Sequence, residues 1–356
     1  MESVNVVFYN VMLPVLPPLR VYGQYERLSR VTEIIKKCEV LYDLDVVVLA
    51  EVIPTSIETD ITNHMERIGY PYRTEPLQGF LSVKGGVLIF SKFELLDTRT
   101  ITFGMNCSGK DCMSAKGVVY SNFIKNGYRY HIFATHLQSG AGISKHNVRN
   151  MQINMLQKFI KRMKIPVDEP VILCGDLNVD MYKDQTFFKY LLNQLNFNAP
   201  TLHNDSTLFT IDNKLNDLVG SDDIGSYSNT DYPNGCKEQY YSTTHCPCCP
   251  SEWIDYTLIS NNHLRPAKSW MHCITAQVPR FTIPWLSGRT LETVNVSDHF
   301  PVVGHFEFVV EELRTYDKRH RITMVETDDN PNLSITTIIV ISSVVIILLL
   351  AISYSR

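Results

Sequence analysis

VILCGDLNVD, residues 171–180, decides how this chain is read. Val171, Ile172, Leu173 and Cys174 run apolar into a glycine, and then an acid and an amide stand two positions apart, Asp176 and Asn178. Such a run, bounded by turn residues, reads as a strand buried on both faces. A buried strand has no use for a carboxylate at its end, so Asp176 is expected to serve something outside the core. A strand end also fixes a side chain's direction more tightly than a loop does.

The pattern repeats along the chain. Residues 4–12, 45–52, 85–93, 117–124, 128–137, 253–260 and 302–313 are rich in β-branched and aromatic side chains and read as strands. Helical patterns lie between them. Leu28, Val31, Ile34, Ile35, Cys38 and Leu41 recur at three- and four-residue steps over 25–43, and Val148, Met151, Met155, Leu156 and Phe159 do so over 143–163. A third helix is expected over 182–196, while 198–250 lacks periodicity and reads as loops. Long apolar strands alternating with helices predict an α/β sandwich whose sheets are covered on the outside. With 44% hydrophobic and 20% charged residues, the 356-residue chain has the composition of a packed globular protein. Its net charge of −4 speaks against a duplex-DNA binder.

The strand ends carry the chemistry. Asn10, Glu51, His136, Asp176 with Asn178, Asp255, and Asp298 with His299 each sit at or beside the end of an apolar strand. One such residue is ordinary turn chemistry. Singly, Asn10 reads as a turn residue, His136 as a histidine satisfied near a sheet, and Asp298–His299 as a cap. Together they point to one cleft that gathers carboxylates, amides and imidazoles. Carboxylates and amides are hard oxygen ligands suited to Mg²⁺ or Mn²⁺. Histidines that titrate near neutrality suit proton transfer. A divalent ion, a base and hydrogen-bond donors together can hydrolyse a phosphate ester. His131, His203 and His305 match no such position and receive no role.

In this order Asn10, Glu51, ATHLQ (134–138), GDLN (175–178), IDY (254–256) and SDHFPV (297–302) resemble the endonuclease/exonuclease/phosphatase superfamily over roughly residues 4–308. Within it the chain is similar to the neutral, Mg²⁺-dependent sphingomyelinases. The segment VYGQYERLSRVTEII (21–35) resembles the one before their Glu-bearing strand, and DCMSAKGVVY (111–120) resembles their Asp–Lys loop. THLQ followed by VRNMQ (148–152) fits the same subgroup. Ala50 precedes Glu51 where Asn or Gln is common, which bears on substrate choice more than on activity. The resemblance implies a four-layer α/β/β/α sandwich of two mixed sheets, and a phosphodiesterase that releases phosphocholine from sphingomyelin. It implies Mg²⁺ as cofactor, with Mn²⁺ able to substitute. Glu51 becomes the main metal ligand, with Asn10 beside it. His299 becomes the base on water, oriented by Asp255, and Asp298 helps to hold that histidine or the metal. Asp176 and Asn178 contact the scissile phosphate or the water, and His136 stabilises charge on phosphorus-bound oxygen. Lys116 meets the substrate phosphate under the control of Asp111, although the two taken alone read as a solvated pair. An inositol-phosphosphingolipid phospholipase C, a tethered nuclease, a phosphoinositide phosphatase or an inactive binding module would share the fold. The complete set of polar strand ends argues against the last.

RFTIPWLSGRTLETV (280–294) offers an aromatic and apolar stretch between two arginines, and the sphingomyelinases can carry a membrane-contacting hairpin there. Trp285 and Phe281 are therefore expected at a bilayer, or else packed on the body. Residues 334–355 contain no charge and, at ~1.5 Å per residue, reach about 30 Å, the thickness of a bilayer core. The expected organisation is a catalytic domain over 1–310, a charged linker over 311–332 and a transmembrane helix over 333–354. MESVNVVFYN shows no basic leader, so the anchor is expected at the tail. Arg314, Lys318, Arg319 and Arg321 then place the domain in the cytosol. Two further observations favour that side. Nine cysteines suit a reducing compartment better than a disulfide framework, and a glycan on the sequon Asn295-Val296-Ser297 would crowd Asp298. Cys236 and HCPCC (245–249) read as free thiols, a local disulfide or a zinc knuckle of unmatched spacing. The expected partners are a membrane sphingolipid and the bilayer, with no nucleic acid and no obligate protein.

Overall fold

In the computed structural model, β1 (Glu2–Leu13) sends Val4, Val6 and Phe8 into one apolar core and Val7, Tyr9 and Val11 into another. Side chains alternate across a strand, so a strand with apolar residues on both faces must be covered on both. The structure describes residues 1–13, 23–53, 55–79, 83–219, 251–284 and 290–315. After β1 come α1 (Gln24–Tyr42), β2 (Val46–Val52), α2 (Thr55–Arg67), β3 (Tyr72–Arg73), β4 (Leu88–Ser91) and β5 (Leu95–Thr102). They are followed by β6 (Gly117–Lys125), β7 (Tyr128–His136), α3 (Ile143–Arg162), β8 (Val171–Asp176), α4 (Gln185–Leu195), β9 (Phe197–Asn198) and β10 (Thr201–Leu202). Last come β11 (Asp255–Ser260), β12 (Lys268–Cys273), the hairpin strands β13 (Phe281–Pro284) and β14 (Thr290–Thr293), and β15 (Val302–Phe308).

Two mixed sheets result. One runs β10-β12-β15-β1-β2-β4-β3 and the other β5-β6-β7-β8-β11-β9. β1 and β2 are parallel, as are β7 and β8, whereas β15 and β11 pair antiparallel to their neighbours. Val6, Phe8, Val48 and Ala50 from the first sheet meet Ile132, Ala134, Ile172 and Cys174 from the second in the central core. The outer face of the first sheet packs Val47 and Leu49 against Val31, Ile34 and Ile35 of α1 and Ile57, Ile61 and Met65 of α2. The outer face of the second packs Phe133 and Leu173 against Leu156 and Phe159 of α3 and Phe188 and Leu191 of α4. The layers are therefore helix, sheet, sheet, helix, as expected.

Some elements were not legible. α2 shows only Ile57, Ile61 and Met65 on one face, and its threonines and acids mask the period. The first residues of the expected linker are folded onto the domain. Val310–Glu312 form a helical turn, Thr315 bridges to Tyr128, and the Arg314 guanidinium lies 3.8 Å from Asp168. Among the described residues no helix is long and apolar enough to cross a membrane. The segment 334–355 lies outside them, as do Trp285, Cys236 and Cys246, Cys248 and Cys249.

Candidate active site

Parallel and antiparallel registers bring the polar strand ends level. In the second sheet His136 pairs with Asp176 across β7 and β8, and Asp176 pairs with Asp255 across β8 and β11. In the first sheet Asn10 pairs with Ala50, the neighbour of Glu51. The two rows face each other at the same end of the sandwich. Asn10 Nδ2 donates to Glu51 Oε1 at 3.0 Å and to Asp176 Oδ2 at 3.1 Å, so one amide links the two sheets. Its Oδ1 accepts from the Met12 N–H at 3.2 Å. Glu51 holds φ at +62°, a left-handed conformation that L residues with side chains adopt at a cost of about 1–3 kcal/mol. The kink brings its Cα against Gly86, where an added Cβ would lie 2.9 Å from it.

His299 sits in the centre. Its Nδ1 is 2.7 Å from Asp255 Oδ2, and its Nε2 faces Asp176 Oδ2 at 4.0 Å. Burial opposes its charge, but Asp255, Asp298 and Asp176 together hold its pKa well above the ordinary histidine value. His136 lies with Nε2 3.5 Å from Asp176 and 4.0 Å from Glu51. Burial and the nearby Lys116 ammonium keep that imidazole neutral. Burial and Asp255 push the Asp176 carboxyl up to about 8. Burial and Asp298 likewise push Glu51 upward.

The Asp–Lys loop is closed on the site. Lys116 Nζ is 2.8 Å from Asp111 Oδ2 and donates to Leu137 O at 2.6 Å, where Asn178 Nδ2 also donates at 3.2 Å. Burial works against the Asp111 charge, but Lys116, His136 and the Ser139 N–H hold its pKa down at about 2. Asp111 also accepts from the Ser139 hydroxyl at 2.9 Å. Lys116 is thus gripped rather than extended, and Asp111 does the gripping.

Among the described residues Asp298 accepts from the Ser297 hydroxyl at 3.2 Å and makes no hydrogen bond to the His299 ring, and it favours the charge on that ring through its field. Two readings change. Phe281 is buried at 8% exposure, with the Arg30 guanidinium 4.1 Å above its ring, so it packs on the body instead of meeting a bilayer. Alternating apolar residues in a hairpin look the same whichever face is covered. Cys107 and Cys112 form a disulfide, against the expectation of reduced thiols, and Asn295 is buried with its amide on Asp217 Oδ1 at 2.7 Å. The thiol argument and the glycan argument for a cytosolic domain both lose their support.

Sequence reasoning missed Arg27, Ser139 and Ser297. Arg27 is fully buried, donating through Nη1 to Val11 O at 3.1 Å and Val296 O at 2.7 Å and through Nη2 to Met12 O. It ties the end of β1 to the segment before Asp298. In the sequence it is one charge among several on an amphipathic helix, and only its position one turn from the helix start hints at a buried role.

The donor set fits a hard divalent ion. Among the described residues the buried Asp255 Oδ1 has no hydrogen-bond partner, and burial, with Asp255 and Asp298 as neighbours, raises the Asp176 and Glu51 carboxyls, the state that a nearby cation would relieve. Asp176, Asp255 and His299 each bring a ligand atom within 4.8 Å of the others. The short Asp255–His299 contact engages Asp255 Oδ2 and His299 Nδ1 as a dyad and leaves Asp255 Oδ1 open. Glu51, Asn10 and Asp176 offer the oxygens that magnesium prefers.

The profile of the Endonuclease/Exonuclease/phosphatase family matches residues 19–299. The chain belongs to this family. Within it the chain is 27% identical over 303 residues to a sphingomyelinase C of Listeria ivanovii, covering 80% of this chain and 81% of that protein. The crystal structure of a sphingomyelinase C from Streptomyces griseocarneus aligns with a TM-score of 0.69 at 24% identity, covering 86% of this chain and 100% of that one. A mutant of the Staphylococcus aureus beta toxin with bound magnesium ions aligns with the same TM-score, identity and coverage. At that identity the likeness to these structures is one of fold.

Proposed function

We propose that the protein is a sphingomyelin phosphodiesterase that cleaves its lipid to ceramide and phosphocholine. The observation that carries this is the Asp255–His299 dyad set 4.0 Å from Asp176, opposite a Glu51–Asn10 pair from the other sheet. With Nδ1–H donated to Asp255, the free lone pair of His299 lies on Nε2, which takes a proton from water as its oxygen bonds to phosphorus. The bond from phosphorus to the ceramide oxygen breaks, and that oxygen takes up a proton. Neutral His136 and the held Lys116 offer donors and charge to the phosphoryl oxygens. Glu51, Asn10 and Asp298, with Asp176 beside them, are the residues that would hold Mg²⁺, which would supply positive charge to offset the negative charge developing on the phosphate. The naming of relatives as sphingomyelinases supports the lipid choice. A single uncharged span at 334–355 tethers the enzyme to the membrane that holds its substrate.

The test is direct. The purified full chain with Mg²⁺, and separately with Mn²⁺, is offered sphingomyelin, phosphatidylcholine, inositol-phosphoceramide, a phosphoinositide and DNA. Phosphocholine release from sphingomyelin, lost in His299→Ala, is the expected result. Turnover confined to the phosphoinositide or to DNA rejects the proposal.

A further inference from the structure

We propose that the disulfide-bonded loop 103–116, with Val83 and the first turn of α3, is a bilayer-contacting surface that seats the catalytic mouth on its leaflet. Met105, Ile143, Met113 and Val83 are 87%, 83%, 53% and 45% exposed. Hydrogen bonds join the segments that carry them. Val83 N donates to Met113 O at 2.9 Å, and Ala115 N donates back to Val83 O at 2.8 Å. On the other side, Lys145 of α3 donates to Ser108 O at 2.8 Å and Ser108 Oγ at 3.0 Å. Gln138 exchanges two hydrogen bonds with the Ser108 backbone, at 2.7 and 3.0 Å. The Cys107–Cys112 disulfide closes the loop on itself. The backbone is thus braced from within and from both sides, while its largest apolar side chains stand in water.

Isolated exposed apolar groups need no explanation, but a gathered set does. The occupant is a lipid bilayer for two reasons. The same loop carries Asp111 and Lys116, so whatever covers Met105 and Met113 meets the loop that supplies two of the site residues. Lys84 follows Val83, Lys110 stands between Met105 and Met113 in the chain, and Lys145 follows Ile143 by two positions. Lys84 lies 3.8 Å from Glu58 and Lys145 is bonded to Ser108, and the segments keep more positive than negative charge beside their apolar groups, as suits lipid phosphates. This surface is separate from the hairpin, whose Phe281 and Ile283 are buried. The inference rests on the lipid phosphodiesterase reading, because only a lipid substrate requires the mouth to meet a membrane.

Two measurements test it. In the first, full-length Met105→Trp protein is reconstituted into vesicles whose acyl chains carry bromine. Fluorescence quenched beyond that of the parent protein is expected, and quenching no greater than the parent's overturns the inference. This readout is independent of catalysis, so it stands even if sphingomyelin proves not to be the substrate. In the second, Met105→Glu/Met113→Glu is compared with the parent on vesicle sphingomyelin and on a water-soluble phosphodiester. A loss of about tenfold on vesicles alone is expected, the order set by partial burial of two methionines. An equal loss on both substrates, or none on vesicles, overturns it.

Discussion

Asp255 and His299 show how far one contact can be pressed. Removing the acid's charge in Asp255→Asn leaves the shape but favours the wrong tautomer of the imidazole, so kcat is expected to fall about a thousandfold with little change in KM. An undiminished kcat contradicts the dyad. His299 gives a pH prediction. Its raised pKa means that the imidazolium persists to higher pH than an ordinary histidine's, so the base becomes available only as pH rises. In metal-free protein the NMR titration midpoint of His299 is expected above 6.5, and saturating Mg²⁺ is expected to lower it, because a cation beside Asp176 offsets the acids that hold the proton. A midpoint indifferent to Mg²⁺ would place the ion elsewhere. These residues were legible because each interrupts an apolar run. Ser139 was not, since a serine after THLQ looks like any loop serine until Asp111 is found against it.

At the scale of elements, Arg27 links α1, β1 and the segment ahead of β15. Arg27→Met keeps the bulk but leaves the carbonyls of Val11, Met12 and Val296 short of a buried donor, so stability is expected to drop by roughly 3–5 kcal/mol. Urea unfolding would measure it, and a change below about 1 kcal/mol would mean that water replaces the guanidinium. Among the described residues eight strands, β1, β2, β4, β6, β7, β8, β11 and β15, and three of the four α-helices could be read from periodicity because their burial is one-sided or complete. β5, polar and largely open to solvent, the half-buried β12 and the two-residue strands β3, β9 and β10 could not. α2 could not, because its apolar stripe is only one residue wide. For a related reason the hairpin β13–β14 left two readings open at Phe281, between which its burial selects the packed one: sequence gives the alternation but not the identity of the surface facing it. The disulfide escaped because two cysteines five positions apart do not reveal whether the loop between them folds back.

For the whole molecule, the order of strands was beyond the sequence. Nothing in Asn10 and Asp176 announces that residues so far apart in the chain lie in facing sheets and share a hydrogen bond at 3.1 Å. Family resemblance supplied what spacing could not. The compact unit Met1–Tyr316 includes all the site residues, so a chain ending at Tyr316 is expected to unfold in a single transition and to keep full turnover of a water-soluble phosphodiester. Loss of that turnover would mean that the tail takes part in the site itself. The division of labour between the sheets has a further consequence. One plate carries Asn10 and Glu51, the other His136, Asp176 and Asp255, and the greasy filling between them sets their separation. A methyl group added or removed at Phe8, Ala50 or Ala134 would change the gauge of the reaction centre without touching a reacting atom. Turnover is therefore a more sensitive reporter of how those plates sit than any melting temperature.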